Sequence, residues 1–159
     1  MVFLFYHIDE NINLLTLKRT KKVFMAYDVK QIEGIGDAYG VRLAKLDVHT
    51  TDDLLKKGGT KTGRQHLSEK TEIPESLILT WVNHADLMRI DGIAGQFSEL
   101  MEAAGVDTVK ELGHRNAENL HNKMLEVNEK FGLSGKVPSV ESLTDMIEQA
   151  KKMDQRVFH

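Results

Sequence analysis

Apolar residues along this chain recur at helical spacing in short runs, and the runs come in two similar sets. Tyr39, Leu43 and Leu46 share one helical face, and Leu77, Ile78, Trp81, Val82 and Ala85 trace another. Phe97, Leu100, Met101 and Ala104 form a third; Leu120, Met124, Val127 and Phe131 a fourth; Val140, Leu143, Ile147 and Ala150 a fifth. The breaks between runs carry recognisable chemistry. Asp28 to Gln31 reads as a brief helical lead-in, Gly34-Ile35-Gly36 as a tight turn with positive φ, and Asp37 as the cap of a helix through about Leu46. Thr50 to Asp53 fits a capping box opening a helix to Lys57, and Thr108-x-x-Glu111 is a second box. Gly58-Gly59 breaks the chain before a helix from about Lys61 to Thr71, and Pro74 suits the first turn of the next. Gly105 closes the third run, Asn116 and Ser139 start the last two helices, and 132–138 is a loop.

The two sets superpose. With Gly34 laid on Gly92, an offset of 58 residues also pairs Ile35 with Ile93, Tyr39 with Phe97, Leu43 with Met101, Val48 with Val106, Thr50 with Thr108 and Leu54 with Leu112. A glycine turn and apolar residues in the same phase imply one supersecondary unit used twice. The expected fold is all-α, with two such units packed as one compact helical body. Residues 27–87 form the first, 88–154 the second and 155–159 a tail. Residues 1–26 stand apart as an extension. Two readings remain for 1–24: translated AT-rich spacer ahead of a start at Met25, or a strand or helix laid against the body.

Composition narrows the chemistry. The 159 residues are 41% hydrophobic, enough for a proper core, and 2 prolines with 6% aromatics favour helices. Zero cysteines exclude a disulfide framework and a thiolate metal site or nucleophile, and make a reducing, cytoplasmic home the expectation. The net charge is −3, while residues 1–24 hold Lys18, Arg19, Lys21 and Lys22 against Asp9 and Glu10, so the acid excess lies in the rest. An acidic body is a poor start for wrapping a polyanion. Val2 to Tyr6 is too short for a membrane span and lacks the basic flank of a signal peptide.

The segments Ile32-x-Gly34-Ile35-Gly36 and Ile90-x-Gly92-Ile93-x-Gly95, each followed by an amphipathic helix and a Gly/Asp-Val-x-Thr turn, resemble helix-hairpin-helix units. Units of that kind occur in DNA ligases, repair nucleases and Holliday-junction proteins. Gly63-Arg64, the stretch from Ile78 to Ile90 and Gly105 to Val109 look more specifically like a bacterial and archaeal family of tandem helix-hairpin-helix proteins, a domain of unknown function. That resemblance covers about 27–152 and brings no activity with it. In DNA-binding members of the wider class, hairpin glycines let backbone N–H groups approach a phosphate at a helix N-terminus. The resemblance places Gly34, Ile35 and Gly36, and Gly92, Ile93, Ala94 and Gly95, at such positions. Asp37, able to satisfy those N–H groups itself, and Ala94 in place of a second glycine depart from that use. The second hairpin, Gly92, Ile93 and Gly95, reads as structural. The first has Arg42 and Lys45 nearby.

Other candidates are weaker. Lys56-Lys57-Gly58-Gly59-Thr60-Lys61-Thr62-Gly63-Arg64 is the strongest basic cluster, but no Gly-Lys-Ser/Thr ends it and no strand precedes it, so it is not a nucleotide loop. Lys56, Lys57, Lys61 and Arg64 would instead supply electrostatic contact to nucleic acid or an acidic partner. Trp81 shares the apolar face of its neighbours and belongs to the core. The seven histidines make no i,i+4 pair and no HExxH, and no serine lies in a G-x-S-x-G context, so no metal, cofactor or catalytic residue is assigned. The expectation is a non-enzymatic binding module. It contacts nucleic acid weakly through the first hairpin and the basic loop, or it is a protein-interaction adaptor or self-associating scaffold with no nucleic-acid binding.

Overall fold

The computed structural model describes residues 26–159. The readings of residues 1–24, and of Met25 as a start, lie outside the described residues. Among these, a 3-10 turn at Val29–Gln31 precedes eight α-helices: α1 (Asp37–Ala44), α2 (Thr51–Gly58), α3 (Lys61–Thr71), α4 (Glu75–Leu87), α5 (Gly95–Ala103), α6 (Val109–Leu112), α7 (Ala117–Phe131) and α8 (Val140–Lys151). The described chain is all-α, and its one β-bridge joins Asp28 to Thr50.

The hydrogen bonds repeat at the offset that the sequence shows. Gly34 and Gly92 take φ of +91° and +93°. The Ile35 N–H donates to the Ile32 carbonyl at 3.1 Å, and the Ile93 N–H to the Ile90 carbonyl at 3.2 Å. A glycine with positive φ inside an i to i+3 bond is the type II turn. The helices that follow close alike: Asp47 and Gly105 take left-handed φ of 58° and 90°, and the N–H groups of Val48 and Val106 reach back to the carbonyls of Leu43 and Met101 at 3.1 and 2.9 Å. This closure ends α1 at Ala44, short of Leu46. Each copy then opens its next helix with a threonine cap, the Asp53 N–H on Thr50 Oγ1 at 3.1 Å and the Glu111 N–H on Thr108 Oγ1 at 3.3 Å. The Asp53 carboxylate accepts from the N–H groups of Thr50 and His49 at 3.0 Å each, and the Glu111 carboxylate accepts from that of Asp107, the counterpart of His49, at 2.9 Å.

Two local expectations are corrected. Gly36, extended at φ −83° and ψ −174°, is the N-cap of α1, and no side chain bonds there. Asp37 already lies in the first turn, with its carboxylate 96% exposed and 3.7 Å from Lys30 Nζ. Pro74 caps α4 from one residue outside it.

Two apolar clusters form. Ile32, Ile35, Leu43, Leu54, Leu67, Ile78 and Trp81 lie in the first; Ile90, Ile93, Met101, Leu112, Met124, Leu143 and Ile147 in the second. Trp81 is 1% exposed and meets Tyr39 edge-on at 5.2 Å. The segment 155–159 lies against the first unit. Val157 is buried in the first cluster, and the Phe158 N–H donates to the Gly59 carbonyl at 2.8 Å.

Where α4 ends, the halves meet at a buried ion pair. Arg89 donates to Asp86 Oδ1 through Nε at 2.9 Å and Nη2 at 2.6 Å. The other Asp86 oxygen accepts the N–H of Val109, the first residue of α6, at 2.8 Å. Arg89 also reaches the carboxylate and carbonyl of Asp154 at 3.3 and 2.9 Å. Removing one partner of such a pair leaves a buried charge uncompensated. Asp86→Ala is therefore expected to lower the stability of the chain by about 3–5 kcal/mol in urea unfolding.

Candidate functional site

The first hairpin presents Gly34 and Gly36 to solvent while Ile35 is turned into the core at 4% exposure. Nothing lies within 4 Å of where a Gly36 Cβ would stand, and no side chain caps the first N–H groups of α1. Such groups at a helix N-terminus favour an anion. The side chains around them are mixed: Lys30, Asp37 and Glu33 are all exposed.

The cations expected to assist are placed elsewhere. Arg42 and Lys45 are exposed at the far end of α1, about 12 Å along an eight-residue helix. Arg42 lies over the Tyr39 ring at 5.7 Å. Lys57 donates to the carbonyl of Leu46, where the negative end of α1 welcomes an ammonium. Lys56 pairs with Asp52 at 2.8 Å, which raises its pKa. Lys61 is exposed in the first turn of α3.

Arg64 requires a correction. It is 2% exposed, and its guanidinium donates to the carbonyls of Gly58 and Gly59 at 3.0 Å each and to that of Phe158 at 2.9 Å. Burial pushes its pKa down. An arginine three residues into α3 turns inward because its two terminal nitrogens meet the carbonyls at the end of α2 and that of Phe158, while its Nε is buried without a partner. The glycines of this loop serve the same packing. A Cβ on Gly59 would stand 2.4 Å from the Arg156 carbonyl oxygen, and one on Gly63 2.1 Å from that of Lys57. They admit neighbouring backbone.

The second hairpin faces the first. A Cβ on Gly95 would stand 2.9 Å from the Gln31 carbonyl oxygen, and Ile93 is 1% exposed. Gly92 is exposed at the edge of a cavity of about 580 Å³ bordered also by Glu33, Gln96, Phe97 and Lys136. The helix that follows is flanked by acid. Burial, with the Glu33 carboxylate nearby, raises the pKa of Glu99. Burial, with Glu111 and Glu102, does the same for Asp107. His84 of α4, 3% exposed, bonds Glu102 through Nε2 at 2.5 Å.

That acidic, half-buried face of α5 was not evident from motifs, because its members come from three segments. Its counterpart on α1 was missed as well. There a groove of about 390 Å³ runs between α1 and the Asp28–Lys30 and Val48–His49 segments, floored by Gly40 and Ala44. Val41 stands at its edge, 58% exposed. The signal lay in the internal comparison: at the offset of 58, Val41 and Ala44 replace Glu99 and Glu102. Among the described residues, no group of three or more His, Asp and Glu side chains is arranged to hold a metal ion, and no helix is long and apolar enough to cross a membrane.

The raised carboxyls make a stability prediction. A carboxyl whose folded pKa lies above its unfolded value binds more protons when folded, so stability falls as pH rises from the ordinary carboxyl range through the raised value. Glu99→Gln and Asp107→Asn remove that penalty. Both are expected to raise the thermal midpoint at neutral pH, and the gain should vanish in acid below the ordinary carboxyl range.

Compared with known proteins, residues 33–153 match a family described as Domain of unknown function (DUF4332). No curated protein and no solved structure matches the chain.

Proposed function

The chain belongs to the DUF4332 family, and from that premise we propose that it is a non-enzymatic binding module whose ligand is another protein. Its two turn-and-helix units are read as helix-hairpin-helix-like, a scaffold suited to presenting one short helix and its turn. With no cysteine in the chain, a reducing cytoplasm suits it.

The carrying observation is the contrast on the first unit. α1 leaves Val41 58% exposed beside a groove floored by Gly40 and Ala44, with Asp28, Lys30, Asp37 and His49 at the rim. An apolar floor and a rim of both signs suit a protein surface. A polyanion requires a continuous field of one sign. Arg64 is unavailable to such a field, Lys56 is paired with Asp52, and Lys57 is bound to the Leu46 carbonyl.

One observation favours the second reading, weak contact with nucleic acid without sequence preference. The N-terminus of α1 is uncapped and open at Gly36, so a single phosphate can reach its N–H groups.

Titration against single- and double-stranded DNA and RNA at low and moderate salt separates the two. The protein-module reading expects no binding that strengthens steeply as salt falls. Tight binding with a steep salt slope, reduced by Lys45→Glu and Lys61→Glu, would reverse the order of the two readings.

A further inference from the structure

We infer that the occupant of the α1 groove is a second copy of this chain, its own α1 laid antiparallel across a two-fold axis. The inference rests on the reading of the chain as a protein-binding module and names the partner.

The internal repeat shows that this face suits a helix. In the second unit the corresponding face of α5 turns toward α4: Ser98 is fully buried, Glu99 is half-buried, and Glu102 is held by His84 of α4. The first unit carries the more apolar version, with Gly40, Val41 and Ala44 at the positions of Ser98, Glu99 and Glu102. Yet this version is the one with Val41 in water. Among the described residues, those that precede α1 line the rim of this face and leave Val41 uncovered. Asp28 is extended at φ −56° and ψ 133°, the Thr51 N–H donates to the Tyr27 carbonyl at 2.9 Å, and Ala26 lies beside Thr51, Asp52 and Arg89, on the α2 side.

Charge selects the second copy. Asp37, Val41 and Lys45 follow one another at four-residue steps, so they share one face of the helix, acid at its start and base at its end. Turned antiparallel about Val41, this row is complementary to itself. Asp37 of each copy meets Lys45 of the other, Val41 meets Val41, and the helix dipoles oppose. A contact made by the same residues on both sides is what a two-fold interface requires. Ala44, small and half-buried, flanks the row, and Gly40 lies beneath the Lys30 side chain. The Lys30 side chain, whose Cδ would lie 3.1 Å from a Gly40 Cβ, forms one wall and now pairs with Asp37 at 3.7 Å. An eight-residue helix covers less than the ~800 Å² per partner of a standard interface, so the association is weak.

Sedimentation equilibrium of the full chain over a wide concentration range tests this. A reversible monomer–dimer equilibrium is expected at high protein concentration. Val41→Asp should raise its dissociation constant about tenfold or more. Asp37→Lys should raise it roughly two- to thirtyfold, because the pair occurs twice. Asp37→Lys combined with Lys45→Asp should restore it, since the exchanged charges again face each other. Circular dichroism of each variant confirms that these exposed positions leave the fold intact. A monomer at every concentration overturns the pairing, as does a dimer indifferent to Val41→Asp or not restored by the charge exchange. None of these results bears on whether the chain contacts nucleic acid, which the titration with DNA and RNA addresses separately.

Discussion

A carboxylate and a guanidinium, both withdrawn from water, set the relation between the two halves of this chain. Asp86 and Arg89 have side chains 2% and 5% exposed, one helical turn apart at the end of α4. Taking two charges out of water is expensive, and their attraction offsets that expense only when every remaining donor and acceptor finds a partner. Here the spare carboxylate oxygen holds the first N–H of α6, and the spare guanidinium donors hold Asp154. Each bond fixes a segment of different origin. A hydrocarbon pair would fill the same space without specifying those three positions. The end of α4, the start of α6 and Asp154 meet at this junction.

Much of the architecture was legible because it rests on local chemistry. Gly34 and Gly92 announce turns that need positive φ; Thr50 and Thr108 announce caps; the apolar spacing gives the helices. Repetition made each of these more secure than a single occurrence. The N-cap of α1 was misplaced by one residue because Asp37 is a better capping type than Gly36, and the closure at Asp47 had already fixed where that helix lies. What stayed hidden depends on tertiary placement. Nothing local tells that Arg64 turns inward, since the carbonyls that attract it include one from Phe158, far along the chain. Nor does the run of glycines beside it reveal that Arg156 will pass within contact of Gly59.

The same burial reshapes the functional argument. A run of lysine, arginine and glycine invites a phosphate in the sequence, while in the fold its members hold helix ends, an aspartate and a neighbouring strand of backbone. The duplicated hairpins diverge in a complementary way. The second carries glutamates, one of them bonded to His84 of α4; the first carries valine, alanine and glycine and leaves Val41 exposed. That asymmetry between the two units is the ground for the binding role proposed for α1.

The claim on which all this depends is that the halves form one body through the Asp86 junction. Trp81, the single tryptophan, lies in the first core, while circular dichroism reports helices of both halves. Urea unfolding followed by Trp81 fluorescence and by far-ultraviolet dichroism tests it directly. The account predicts that the two transitions coincide in midpoint and steepness. A fluorescence transition separated from the loss of helix would contradict it, showing a first half that unfolds on its own.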